Sequence, residues 1–157
     1  MVGKIKLYNR GNRLLMRMFK TAFLCSRNVP DELSTRIIDW AERIPVVGSC
    51  VMCGNHSQME KAVFSVLLRR EVPVILVLAE TIEQNWGDEI ENAIASNRLL
   101  MITHCDNTMH FSTFRSAADR NMVMLALADE IVVGYSRHGG NIDRQVSGME
   151  NVTFLGI

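Results

Sequence analysis

Four short runs in this sequence hold side chains able to grip a phosphate. Ser26-Arg27 sets a hydroxyl beside a guanidinium, a pair suited to charge-assisted hydrogen bonds with phosphate oxygens. The alternative is a helix-entry turn with a solvated arginine. Gly54-Asn55-His56-Ser57 puts a glycine, where a ligand can approach the backbone, just ahead of a helical stretch whose first N–H groups attract anions. His56 can donate to a phosphate or act as acid or base. The plainer reading is that His56 and Ser57 only cap the helix. Arg120-Asn121 interrupts an otherwise apolar helix. Near the helix start such a pair reaches over the strand ends to a ligand; on an exposed face it is merely solvated. Arg137-His138-Gly139-Gly140-Asn141, with Asp143 beyond, offers paired glycines as a second backbone cradle, or a surface turn. None of these is a Walker loop, and none has the full G-x-G-x-x-G spacing.

Cys50-Val51-Met52-Cys53 is formally C-x-x-C, with His56 three residues on. A zinc or redox site needs both thiols on one side. Residues three apart in a strand point to opposite faces, so these cysteines read as structural. His104, Cys105 and His110 form a looser cluster, also read without metal. The expectation is no metal and no cofactor.

The elements that must position these residues alternate between short apolar runs and helical stretches. Thr21–Cys25 is a strand; Pro30–Ile44 is a helix with Leu33, Ile37, Trp40, Ala41 and Ile44 at helical spacing. Pro45–Cys53 reads as the next strand. Ser57–Arg70 is a helix opening on the capping box Ser57-Gln58-Met59-Glu60. Val72–Leu78 is continuously apolar, as in a strand covered on both faces. Asp88–Asn97 is a helix, Leu99–Thr103 a buried strand, and His104–Thr113 irregular. A helix starts between Ser112 and Asp119 and runs to about Ala128. Glu130–Gly134 is a fifth strand, Val152–Leu155 a last one, and Lys4–Tyr8 an extra edge strand. Alternating strands and helices imply right-handed βαβ units and a Rossmann-like, three-layer α/β domain with a mostly parallel sheet. Ligands bind such sheets beyond the C-terminal strand ends, where all four candidate runs fall.

The length of 157 residues fits one domain, 1–157, with residues 1–19 as a basic segment packed on it. The apolar share of 48% excludes a disordered or fibrous chain. The longest apolar run, Pro73–Ala79, is far below the roughly 20 residues of a membrane span. Basic residues interrupt the chain up to Lys20, so no secretory signal is read, and four cysteines without a dense framework fit a reduced, cytoplasmic setting. Net charge is zero but uneven. Seven of the 17 basic residues and none of the 17 acidic ones lie in residues 1–30, leaving ten basic against 17 acidic beyond, a net of −7. Only the N-terminal segment could supply the broad basic face of a strong nucleic-acid binder, and the plainer reading is an ordinary solvated surface with uneven charge.

The order of motifs resembles a known family. Phe23-Leu24-Cys25-Ser26-Arg27, then Val51 to Glu60, then Val74-Ile75-Leu76-Val77-Leu78-Ala79, then Arg120-Asn121 and Ala128 to Val133 are similar to the Rossmann-like core of the DNA-processing protein A (Smf) family, over roughly residues 20–145. The resemblance implies binding of single-stranded DNA by sheet-top residues and a basic pocket, in a family that loads recombinase onto the incoming strand. Asn55-His56-Ser57 stands where that family has Ala-Arg-Gly, and a chain of this length has no room for the family's usual flanking domains. The wider superfamily includes lysine-decarboxylase-like phosphoribohydrolases. By that likeness Arg120 matches a ligand-holding arginine, and Gly139 and Asp143 stand in for a glycine and a catalytic carboxylate.

The leading reading is binding of a phosphate-bearing ligand, a nucleotide or single-stranded DNA, at Ser26, Arg27, Gly54, Asn55, His56, Ser57, Arg120, Asn121, Gly139 and Gly140. The alternative is a nucleoside 5′-monophosphate phosphoribohydrolase with Asp143 as catalytic carboxylate. A third is an interaction domain without ligand. Self-association is a further expectation from the resemblance, and no membrane partner is expected.

Overall fold

The computed structural model describes residues 5–156. The strand run VILVL, Val74–Leu78, is buried at every position, because side chains alternate between two apolar layers. Along the chain the elements are β1 (Tyr8–Gly11), a 3₁₀ turn (Arg13–Arg17), β2 (Lys20–Cys25), α1 (Asp31–Arg43), β3 (Cys50–Cys53), α2 (Gln58–Arg69), β4 (Val74–Leu78), α3 (Asp88–Ala95), β5 (Leu99–Thr103), α4 (Phe114–Leu127), β6 (Glu130–Tyr135), α5 (Asn141–Val146) and β7 (Val152–Phe154). The seven strands form one sheet in the order β1-β5-β4-β3-β2-β6-β7, parallel except for β1.

Phe23, Val51, Leu76 and Met101 point to the layer formed by α1, α2 and α3, where Ile37, Val63 and Leu67 meet them. Leu24, Met52, Ile75 and Ile102 point the other way, against Leu15 of the 3₁₀ turn, Met124 of α4 and Ile142 of α5. Phe23 stacks on Trp40 with ring centroids 5.2 Å apart. The chain winds outward from β2 through β3, β4 and β5, then crosses back to place β6 on the other side of β2. The C-terminal ends of β2 and β6 therefore flank the topological switch point.

Two strand boundaries and the place of Arg120 differ from the sequence reading. The edge strand lies at Tyr8–Gly11 rather than Lys4–Tyr8; Lys4 lies outside the described residues. Its register is set by β5, where Gly11 pairs with Leu100, and a Cβ on Gly11 would stand 2.3 Å from the Leu99 carbonyl oxygen. β3 is only Cys50–Cys53, because its ladders with β2 and β4 begin at Cys50 and Val51. α4 begins at Phe114, within the expected range and capped by Thr113 with a Thr113/Ser116 box, but Arg120 lies mid-helix and not near its start. Among the described residues no helix is long and apolar enough to cross a membrane.

Candidate functional site

A trough runs over the ends of β2, β3 and β6. One part, about 370 Å³, is lined by Ser26, Arg27, Phe114, Arg137 and Gly140 among others. A second part, about 500 Å³, shares Ser26, Arg27, Asn28, His56 and Ser57 with it and continues past Met59 and Ser34. Shared walls make the two parts an elongated groove rather than a closed pocket.

Ser26 ties the two sides of the switch point together. Its N–H donates to the Tyr135 carbonyl at 2.7 Å, and its Oγ accepts from the Arg137 N–H at 3.2 Å. Arg27 is exposed and donates through Nη2 to His56 Nε2 at 3.0 Å. A guanidinium has no acceptor, so Nε2 supplies the lone pair and the imidazole proton sits on Nδ1. There it donates to Ser112 Oγ at 3.1 Å. Arg137 is exposed and lines the same part of the trough as Arg27.

Beneath this rim lies a buried ion pair. Glu60, 3% exposed, and Arg120, 5% exposed, meet at 3.1 Å between Oε2 and Nη2. The other carboxylate oxygen of Glu60 accepts from the backbone N–H groups of His56 and Ser57 at 3.0 and 2.9 Å, completing the capping box. The N–H groups just ahead of α2 thus already hold an internal anion, and the Glu60 N–H donates to Ser57 Oγ at 3.2 Å. Arg120 Nε donates to Asn121 Oδ1 at 3.1 Å, and Asn121 Nδ2 to Gln145 Oε1 at 3.3 Å, carrying the network to α5. Gly54 is buried under this pair. A Cβ there would lie 2.0 Å from Arg120 Nη1, so the glycine serves the protein's own guanidinium and not a ligand. Glu60 also acts on the thiols below: burial first, then its charge, pushes Cys25 up to about 12 and shifts Cys53 in the same direction.

The sequence-derived residues therefore divide. Ser26, Arg27, His56, Ser57, Arg120, Asn121 and Gly140 line the groove. Of these, Arg120 and Asn121 spend their polar atoms on protein partners. Asn55 is half-buried next to Gly54. Gly139 turns with φ +71° and donates its N–H to Asp143 Oδ2 at 2.9 Å. The Asp143 carboxylate thereby holds the Arg137–Gly140 turn at the start of α5. Cys50 and Cys53 point into opposite apolar layers. His110 Nδ1 lies 3.3 Å from Glu83 Oε1, whereas His104 Nε2 lies 3.7 Å from Cys105 Sγ, so the second histidine–cysteine cluster does not converge. Burial pushes the His104 imidazole down. Among the described residues no group of three or more His, Cys, Asp or Glu is placed to hold a metal ion.

Sequence reasoning missed Phe114 and Ser112, and used Glu60 only as a cap. The signal for Phe114 was present: an apolar residue at the first position of a helix, closing a polar stretch. A larger cavity of about 660 Å³ lies along the β1 edge, but Glu83 and Asp106 line it and its Arg10 is bound to Glu91 at 2.6 and 3.0 Å. It offers an anion little.

No family model and no curated protein matches the sequence. Solved structures do. DNA processing protein A from Helicobacter pylori, which binds single-stranded DNA, superposes with a TM-score of 0.75 and 16% identity over 95% of this chain and 71% of its own. DNA processing protein A from Streptococcus pneumoniae gives a TM-score of 0.71 and 14% identity over 94% of this chain and 54% of its own, so this chain spans about half of that protein. The chain has the fold of the Rossmann-like domain of DNA processing protein A.

Proposed function

We propose that this protein binds single-stranded DNA along the groove over the switch point. The observation that carries this reading is that Arg27 and Arg137, both exposed, line one elongated trough, with the Glu60 carboxylate beneath them paired with Arg120. Two guanidiniums facing a groove of that length suit successive phosphates of a strand. The shared walls of the two parts favour a strand over a single nucleotide. The fold likeness to a protein that binds single-stranded DNA supports the same reading. In this reading Asp143 holds the Arg137–Gly140 turn, accepting from the Gly139 N–H at 2.9 Å.

The test is fluorescence anisotropy of a labelled oligothymidylate between 50 and 200 mM salt. Each phosphate contact contributes about −0.7 to the log–log salt slope for a single strand, so Arg27→Ala combined with Arg137→Ala lowers the slope by about 1.4. Each single change weakens binding roughly tenfold, equivalent to about 1.4 kcal/mol. Absence of wild-type binding at 50 mM salt, or an unchanged slope in the double variant, overturns the proposal.

A further inference from the structure

Two phenylalanines stand in water beside the groove. Phe111 and Phe114 are each 83% exposed, and neither belongs to an apolar layer of the core. Two such rings within four residues are unusual on a surface that has ordinary polar neighbours, and they leave unused the gain that burial of a phenyl brings. The backbone that carries them is pinned. Ser112, between them, is bound to His56, which in turn accepts from Arg27. Thr113 and Ser116 exchange hydrogen bonds, Ser116 N–H to Thr113 Oγ1 at 3.0 Å and Thr113 N–H to Ser116 Oγ at 2.8 Å. Phe114 itself lines the groove with Arg27 and Arg137. Arg115, with its side chain 91% exposed, follows directly.

We infer that Phe111 and Phe114 form a base-stacking platform, which makes the groove selective for unpaired bases. The inference rests on the single-stranded DNA reading and deepens it. The cations that share the groove with Phe114 decide the occupant: a chain of negative phosphates satisfies Arg27 and Arg137 while its bases turn their faces to the rings. Stacking is indifferent to base identity, because every base has a π-face. It discriminates strongly against a duplex, whose base faces are already covered by their neighbours. The arginines supply attraction to any polyphosphate backbone; the phenylalanines supply the preference for a single strand.

The experiment compares a 12-residue oligothymidylate, an abasic strand with the same phosphate count, and a DNA duplex of the same length, on the full chain. The wild type is expected to prefer the oligothymidylate to both others. Phe111→Ala and Phe114→Ala each weaken oligothymidylate binding by roughly 5- to 150-fold, the worth of one stacked base, and leave abasic binding unchanged. Phe114→Trp retains the preference. Because both rings are exposed, thermal melting of the alanine variants reports that they remain folded. Equal affinity of the wild type for thymidylate and abasic strands overturns the platform; if both strands then weaken in the Arg27/Arg137 double variant, the groove reading survives it. If the wild type binds neither strand, both fall. If the alanine changes leave DNA binding intact and instead alter the oligomeric state in light scattering, the rings are a protein interface and the inference is overturned.

Discussion

Replacing Arg120 by alanine separates a structural arginine from a ligand-binding one. In the fold its guanidinium is 5% exposed, pairs with Glu60 at 3.1 Å and packs against Gly54. Removing it strands a carboxylate that is 3% exposed. Breaking a buried pair from one side costs about 3–5 kcal/mol. Glu60 keeps two backbone N–H donors from His56 and Ser57, which places the expected loss near the lower end, about 3 kcal/mol. In a domain of this size that corresponds to a fall in Tm of about 6–12 °C. Urea unfolding gives the free energy, and thermal melting the Tm. Binding of oligothymidylate, measured well below the new Tm, should change by less than about threefold. Pairing Arg120→Met with Glu60→Gln removes both charges and should recover a large part of the loss. A Tm within about 2 °C of wild type, together with a more than tenfold loss of DNA binding, would refute the reasoning and return Arg120 to the ligand.

The four free thiols should be inert in the folded protein: Cys25 and Cys50 are pushed up to about 12 by burial, and Cys53 and Cys105 are raised as well. A thiol with a pKa near 12 is about 10⁻⁴ ionised at pH 8, so a disulfide reagent should titrate the cysteines only after unfolding, and a fast-reacting native thiol would contradict this. Acid should destabilise the fold in a defined window. The Lys20 N–H holds the Asp129 carboxyl below its ordinary value, and Arg10 does the same for Glu91. A carboxyl lowered by folding stabilises above its unfolded value near 4 and loses that contribution as pH falls through the folded value, so Tm should drop below about pH 4. Asp129→Asn should lower Tm at pH 7 and flatten that drop; an unchanged pH profile of Tm would count against the argument.

Much of the architecture was legible because it follows from local patterns. The unbroken apolar runs of β4 and β5, the helical spacing of Leu33, Ile37 and Ala41, and the Ser57/Glu60 cap need only near neighbours to be read. The rim location of the candidate runs followed from their place at the ends of strands in a parallel sheet. What failed to show was long-range pairing. Nothing near Arg120 in sequence reveals that Glu60, on a helix of the opposite layer, meets it over Gly54. The edge strand was misplaced for the same reason: its register is decided by β5 and by the close approach at Gly11. Phe114 was passed over because an apolar residue near a helix start reads as core until its 83% exposure is seen.

The position of β2 at the switch point also sets a timetable. Its first neighbour, β3, follows after one helix, but its other neighbour, β6, begins at Glu130, roughly 100 residues after Cys25. At a ribosomal rate of about 5–20 residues per second, that interval lasts about 5–20 s. Throughout it, the side of β2 that will receive β6 presents open N–H and C=O groups along Ala22, Phe23 and Leu24, a template for strands of other chains. The half-sheet β2-β3-β4-β5 can assemble early, while the groove cannot exist until the last third of the chain has crossed back. Slow elongation or crowded polysomes therefore endanger this protein at a strand of its core, long before its finished surface matters.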